Sequence, residues 1–425
     1  MKKKKAPLGR RMKEFVKTSV VWGPLDHNLF FTIIFLNVYG IIMVYSASYN
    51  NSITKNYSYF MNNQLKNVIF GFVIMIVASY VNYHRIVRFG WGWFWLLAAV
   101  AIIAALKTPL AHSELGATRW IKLGPVSFQA AEPIKAAIII FFAYYVSYWG
   151  LNRWYNQLLA CLLAIALLGF LFFFSNNLST VIVLFCICAV IILSSVKKPD
   201  LYLYFLLGLA LIIIAAIFVT VYLLMHQGAE NFRFVRIRAW LHPEEYAADE
   251  GLQAMQARYA IGAGGFWGKG LGQSLIKFKL SYSYNDFILA IICEELGVFG
   301  VIVMMTLFGY LLYRIYKIAQ NAWDIEGKVL AIGVFTQIAL QLLINVMVVT
   351  SVIPTTGVTL PFFSAGGTSV VFLLAELGMV LNVDKYAKER RFFEEAERHV
   401  AQMEQRGGIG VAGWRRRLDS ARTRR

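Results

Sequence analysis

Long apolar blocks separated by mostly short polar connections dominate the chain. Their pattern predicts ten membrane-crossing helices, at residues 27–48, 64–82, 89–106, 131–148, 157–174, 178–195, 200–225, 285–314, 327–352 and 366–383. An apolar run of about 18 residues or more is long enough to cross a hydrocarbon core of about 30 Å. The expected fold class is therefore an all-α polytopic membrane protein. Between the seventh and eighth spans the pattern leaves one large loop, about residues 227–284, on the outer side.

Basic residues set the expected orientation. Lys2–Lys5, Arg10, Arg11, Lys13 and Lys17 precede the first block. Arg85, Arg88, Arg153, Lys197, Lys198, Arg314, Lys317 and Lys328 fall in the even-numbered connections, and a basic tail follows the last block. Lys and Arg accumulate on the cytoplasmic side of membrane proteins. Both termini are thus expected in the cytoplasm, with a basic N-terminus (1–26), a transmembrane domain (27–384) and a basic tail (385–425). Lys385–Gln405 reads as a surface-lying helix.

Composition agrees. The chain is 59% hydrophobic and 15% charged, against about 45–50% and about 25% in soluble domains. Its net charge of +18 lies largely in the flanks, where it serves topology and contact with anionic lipid rather than nucleic acid. The first block is too long for a removable signal peptide and lacks a small-residue cleavage site. Cys161, Cys186, Cys188 and Cys293 fall inside apolar blocks without CxxC spacing, as small buried hydrophobes do.

Candidate chemistry gathers in the outer connections. Asp286 stands at the mouth of the eighth block, where a carboxylate is costly unless solvated or paired; a helix-N-terminal Asp would also belong there. On one continuous helix, Asp286, Ala290, Cys293 and Gly297 share a stripe. Glu294 and Glu295 lie inside the apolar block and must be paired or face water. Upstream, Gly262–Ser274 carries six glycines and Lys269. Such a segment fits an anion-binding backbone concavity and a tightly packed re-entrant hairpin equally well, and its spacing is not that of a Walker loop. Arg119 and Lys122 can bind phosphate, while Trp120 suits the lipid–water interface. Glu132 and Lys135 are spaced as an i,i+3 ion pair. Pro354–Ser369 is a non-helical stretch, tolerated at membrane depth only where it is buried or lines a cavity.

Four segments in this order resemble the SEDS (RodA/FtsW/SpoVE) family of bacterial wall synthesis. They are RWIKLGP with FQAAEPIK (Arg119–Lys135), AIGAGGFWGKGLGQS (Ala260–Ser274), NDFILAIICEELGVFG (Asn285–Gly300) and TGVTLPFFSAGGTS (Thr356–Ser369). The resemblance covers about residues 25–385, and the Gly357–Phe362 run and Asn177–Thr180 resemble the division and sporulation branch. It implies a peptidoglycan glycosyltransferase that polymerises lipid II and releases undecaprenyl diphosphate. Its implied partners are a class B penicillin-binding protein and other membrane proteins of the division or elongation complexes. It also implies a divalent cation, Mg2+ or Mn2+, although no metal-ligand cluster is legible in the sequence. Asp286 matches the family's essential aspartate, the general base, and Arg119, Trp120, Lys122, Arg238, Lys269 and Lys277 are candidates for binding the anionic substrate. The chain departs from the family pattern at Ala130-Ala131, at Leu280–Asn285 and at Ala365, and the second of these adjoins Asp286. A lipid II flippase would share the spans and intramembrane acids, but the notable cations and Asp286 cluster on one face, which favours surface chemistry. An inactive scaffold for the transpeptidase is the other alternative.

Overall fold

The computed structural model describes residues 21, 23–48, 59–114, 117–124, 126–175, 177–196, 232–245, 251–278, 285–364 and 367–405. The long helices are α1 (His27–Ser48), α2 (Tyr59–Tyr80), α5 (Ala131–Trp149), α6 (Trp154–Ser175), α7 (Leu178–Ser195), α10 (Ile288–Gln320), α11 (Ile325–Val349) and α12 (Thr368–Gln405). Shorter ones are α3 (Tyr83–Val87), α4 (Trp93–Ala105), α8 (Phe232–Leu241) and α9 (Leu252–Gly264). Among the described residues six helices (α1, α2, α6, α7, α10 and α11) are long and apolar enough to cross a membrane. Helices suit that solvent because each backbone N–H and C=O finds its partner within the segment. Side chains such as Phe31, Phe35, Ile69, Phe70, Leu97 and Phe173 point outward, as a lipid-facing surface requires.

Most predicted spans coincide with helices to within a few residues; 200–225 lies outside the described residues. Two expectations need correction. The fold is not all-α, because the first long connection holds an antiparallel sheet of β1 (Ala111–Glu114), β2 (Ala117–Leu123) and β3 (Val126–Gln129), in the order β1-β2-β3. Its second hairpin pairs Leu123 with Val126 across Gly124-Pro125, and Gly124 supplies the positive φ of 61° that a two-residue turn needs. The tail does not begin a separate helix at Lys385, since α12 runs unbroken from Thr368 to Gln405.

Helices α2 and α12 lie side by side at very short range. A Cβ at Gly378 would sit 2.5 Å from the Met75 carbonyl, so a small residue there lets the backbones approach. At one end of the bundle polar contacts tie five elements, α1, α3, α5, α10 and α11, into a clasp. Tyr83 and His84 contact the Asp324 carboxylate at 2.6 and 2.9 Å. Arg88 and Ser147 both reach Glu326 at 2.8 Å, and the Arg314 guanidinium pairs with Asp26. Asp324 also caps α11 by accepting from the Gly327 amide at 2.8 Å. The opposite end carries the sheet, the Gly-rich segment and residues 350–364, which follow α11.

Candidate active site

At the loop end α10 is interrupted. Gly297 has φ 66° and ψ −164°, which is not helical, and a break frees carbonyls and amides that need partners. The Gly-rich segment supplies them. After α9 the chain turns at Gly265 and runs beside the break. Lys269 and Gly270 donate their amides to the carbonyls of Glu294 and Glu295 at 2.9 Å each. In return Val298 and Phe299 donate to Gly265 and Phe266 at 3.1 Å each. A Cβ on Gly297 would meet the Gly268 nitrogen at 2.4 Å, and one on Gly268 would meet the Glu295 carbonyl at 2.2 Å. Gly264, Gly268 and Gly297 thus serve close packing, whereas a Cβ on Gly262, Gly265 or Gly272 would meet open space, and the amides of Gly268, Lys269, Gly270 and Gln273 in the supposed anion cradle are already bonded.

Glu294 and Glu295, wholly buried, are the acids that hold this segment. Glu294 accepts from Lys269 Nζ at 2.8 Å, from the amides of Leu275 and Ile276 at 3.2 and 3.3 Å, and from the Ser274 hydroxyl. Glu295 accepts from Ser46 Oγ at 2.5 Å, from the Ser274 amide at 3.3 Å and from Lys277 Nζ at 3.4 Å. Lys277, itself buried, also donates to the Gly272 carbonyl at 2.7 Å.

Asp286 lies in a turn, Asn285–Phe287, ahead of α10. The predicted stripe through Asp286, Ala290, Cys293 and Gly297 does not form, because the helix starts at Ile288 and breaks at Gly297. Nor does Asp286 cap it; Phe287 is the cap residue, with no side-chain cap bond. The backbone around the half-buried Asp286 is held by side chains from two other elements. Asn345 Nδ2 donates to the Asp286 carbonyl at 2.9 Å and to the Val358 carbonyl at 2.9 Å. Ser364 Oγ donates to the Asn285 carbonyl at 2.9 Å and accepts from the Leu360 amide at 2.8 Å.

Val358 belongs to the wall of a polar pocket that also includes Gln129, Glu132, Lys135, Ser179 and Gln341. Lys135 Nζ and Glu132 form an ion pair at 2.9 Å, both side chains buried. Ser179 Oγ fixes the Thr356 carbonyl at 2.9 Å, which ties α7 to the same wall. Glu376, on α12, takes a 2.7 Å bond from Gln337 and lies within electrostatic reach of Glu132 and Lys135.

The other predicted residues are dispersed. Arg119, Trp120 and Lys122 lie on β2, with Trp120 half-buried and Lys122 exposed. Arg238 is half-buried on α8, which Trp240 fastens to the Ser351 carbonyl at 2.9 Å. Lys269 and Lys277 are taken up by Glu294 and Glu295. Sequence reasoning missed Asn345, Ser364, Gln337 and Glu376; for Glu376 the available signal was an acid inside the last apolar block. Among the described residues no three His, Cys, Asp or Glu side chains converge on a common point, so they do not fit a divalent-cation cage.

A family model for FtsW, RodA and SpoVE, described as cell cycle protein, matches residues 26–389. The probable peptidoglycan glycosyltransferase FtsW of Bacillus subtilis is 32% identical over 374 residues, covering 85% of this chain and 91% of that protein. Stage V sporulation protein E of the same organism is 33% identical over 372 residues, covering 84% and 96%. Among solved structures, a chain from a peptidoglycan synthase complex that coordinates polymerization and crosslinking superposes with a TM-score of 0.72 at 22% identity, covering 86% of this chain and 99% of that one. The rod shape determining protein RodA of Thermus thermophilus superposes with a TM-score of 0.62 at 21% identity, covering 86% and 98%.

Proposed function

Because the chain belongs to the FtsW/RodA/SpoVE family, we infer that it is a multi-pass membrane peptidoglycan glycosyltransferase, polymerising lipid II into glycan strands during bacterial cell division. The observation that carries the reading is the link between Asp286 and the polar pocket: one buried side chain, Asn345, bonds the Asp286 backbone and the pocket wall. In the proposed reaction the Asp286 carboxylate accepts the proton of the acceptor sugar hydroxyl. The freed oxygen bonds to the anomeric carbon of the donor. The bond from that carbon to the diphosphate breaks, and undecaprenyl diphosphate leaves with the electron pair. Negative charge grows on the departing diphosphate, where preorganised cations stabilise it. Arg119 and Lys122 on β2 and Arg238 on α8 are the cations proposed for that task, while Lys135 in the pocket is already paired with Glu132. Lys269 and Lys277, bound to Glu294 and Glu295, instead hold the segment that packs against α10. Among the described residues no group of three His, Cys, Asp or Glu side chains would hold a divalent cation by itself, and no step here is routed through one.

The same reading places both termini in the cytoplasm, ten spans in the membrane and the residue 227–284 loop outside. Its proposed partner is a cross-linking penicillin-binding protein of class B, supported by the likeness to a chain of a peptidoglycan synthase complex. The test is polymerisation of labelled lipid II by the purified protein and its transpeptidase, comparing wild type with Asp286→Ala and Asp286→Asn. Glycan from wild type and none from either variant is the expected result. Undiminished polymer from folded Asp286→Ala would remove the base assignment. A wild-type protein that makes no glycan alongside a verified partner would overturn the activity.

A further inference from the structure

A general base has to hold its carboxylate within about 0.5 Å of the productive position, and a misplacement of about 1 Å can cost about a hundredfold in rate. Asp286 does not get that precision from regular structure. It precedes the first residue of α10 by two positions, in a turn, beside a cap residue, Phe287, whose side chain makes no cap bond. Two buried side chains from elsewhere in the chain bond this turn. Asn345, on α11 and fully buried, donates to the carbonyl of Asp286 itself. Ser364, from the α11–α12 connection, donates to the carbonyl of the preceding residue, Asn285. Successive peptide units are thereby pinned from two directions.

Asn345 does more than pin. Its single Nδ2 carries two hydrogens and uses both, at 2.9 Å to Asp286 and at 2.9 Å to Val358. An amide is the only neutral side chain of this size with two donors on one atom. The second bond ends on the wall of the pocket that holds the Glu132–Lys135 pair. Close to Ser364, the same connection contains Phe362 at φ 67°, a left-handed conformation for a buried aromatic residue. Such a conformation persists only where its surroundings over-determine it. The Ser364 bonds to Leu360 and Asn285 help to hold the connection around that residue.

We propose that Asn345, seconded by Ser364, is a positioning residue that sets the distance between the Asp286 carboxylate and the polar pocket. The proposal rests on the assignment of Asp286 as the base. It predicts a specific kinetic signature: the chemical step suffers while lipid II still binds. Asn345→Asp keeps the shape and removes the paired donors. Asn345→Ala removes the group, and Asn345→Ser restores a single donor.

The experiment is steady-state polymerisation of lipid II by the full chain with its partner, for these three variants, Ser364→Ala and Asp286→Ala. Rates are expressed per folded molecule, with folding read from the thermal unfolding midpoint in the same detergent. Expected are a fall in kcat of about tenfold to a hundredfold for Asn345→Ala and Asn345→Asp, KM within about twofold, partial recovery in Asn345→Ser, and a smaller fall in Ser364→Ala. If kcat per folded molecule stays within about twofold of wild type in Asn345→Ala while Asp286→Ala is inactive, the positioning role is wrong and the base assignment stands. If Asn345→Ala does not fold, Asn345→Ser and Ser364→Ala decide: unchanged kcat in both overturns the proposal, and reduced kcat at constant KM supports it. Activity retained in Asp286→Ala would bring down the parent reading, and the positioning role with it.

Discussion

Lys277 and Glu295 put the question of buried charge at its sharpest, since their side chains are 2% and 0% exposed and stand 3.4 Å apart. Removing one member of such a pair leaves the other charged and unpaired, at a cost of about 3–5 kcal/mol, whereas replacing both by apolar groups can be close to neutral. Glu295→Ala is therefore expected to lower the thermal unfolding midpoint in detergent far more than a Glu295→Met/Lys277→Met double variant. Equal losses in the two proteins would mean that the pair contributes little. Glu295 was legible as an acid that had to be paired, because a charge inside an apolar block always raises that question. Its partner was not, because Lys277 looked like one more cation in a basic loop. Asp286 was legible for the same reason as Glu295. Asn345 was silent: an uncharged amide in an apolar helix carries no pattern, and its meaning comes from a carbonyl 59 residues away.

Helix α10 and the segment packed on it are a single element in energetic terms. The break at Gly297 is stable only because the Gly-rich segment satisfies the amides and carbonyls it exposes. Gly297→Ala would force a Cβ against the Gly268 nitrogen at 2.4 Å while holding φ near 66°. It is expected to destabilise by at least about 1–3 kcal/mol and to loosen the segment. Limited proteolysis between Gly265 and Phe278 would detect the loosening. Gly262, in the same glycine run, lies within α9 with open space where a Cβ would stand, so Gly262→Ala should be neutral or stabilising by up to about 1 kcal/mol. Sequence reasoning treated the six glycines alike because spacing alone does not say which face a neighbouring backbone. The sheet was missed for a different reason. Its strands are short, at 4, 7 and 4 residues, and the Gly124-Pro125 turn signal was overshadowed by the charges of Arg119 and Lys122. Long apolar helices, by contrast, announce themselves through length and composition, and α7 was placed at its observed limits.

Across the whole molecule the two ends differ in kind: one is a clasp of ion pairs, the other a set of loops around a pocket. The clasp centres on Asp324. Burial alone would raise its carboxyl, but His84, the Gly327 amide and the Tyr83 hydroxyl together hold it below the usual carboxylate range. A depressed folded-state value means stability that is present above the unfolded value of about 3.9 and is lost as the pH falls through the folded value. The unfolding midpoint of wild type is thus expected to exceed that of Asp324→Asn at neutral pH, with the gap closing from about pH 5 downward. A gap independent of pH would show that the carboxylate's charge is not what the clasp uses. Helix α12 joins these ends. At 1.5 Å per residue its 38 residues reach about 57 Å, nearly twice the roughly 30 Å of a hydrocarbon core. The charged part from Asp384 onward continues the apolar part without a joint, stiffened by an Asp384–Lys388 pair at 2.6 Å. In mechanical terms that makes α12 a lever arm. Ser364, which pins the turn beside Asp286, sits only four residues before its first residue, Thr368. A sideways pull on the far stub would therefore be delivered, through a stiff rod rather than a slack tether, to the first turn of α12, four residues from the side chain that pins the turn of the proposed base.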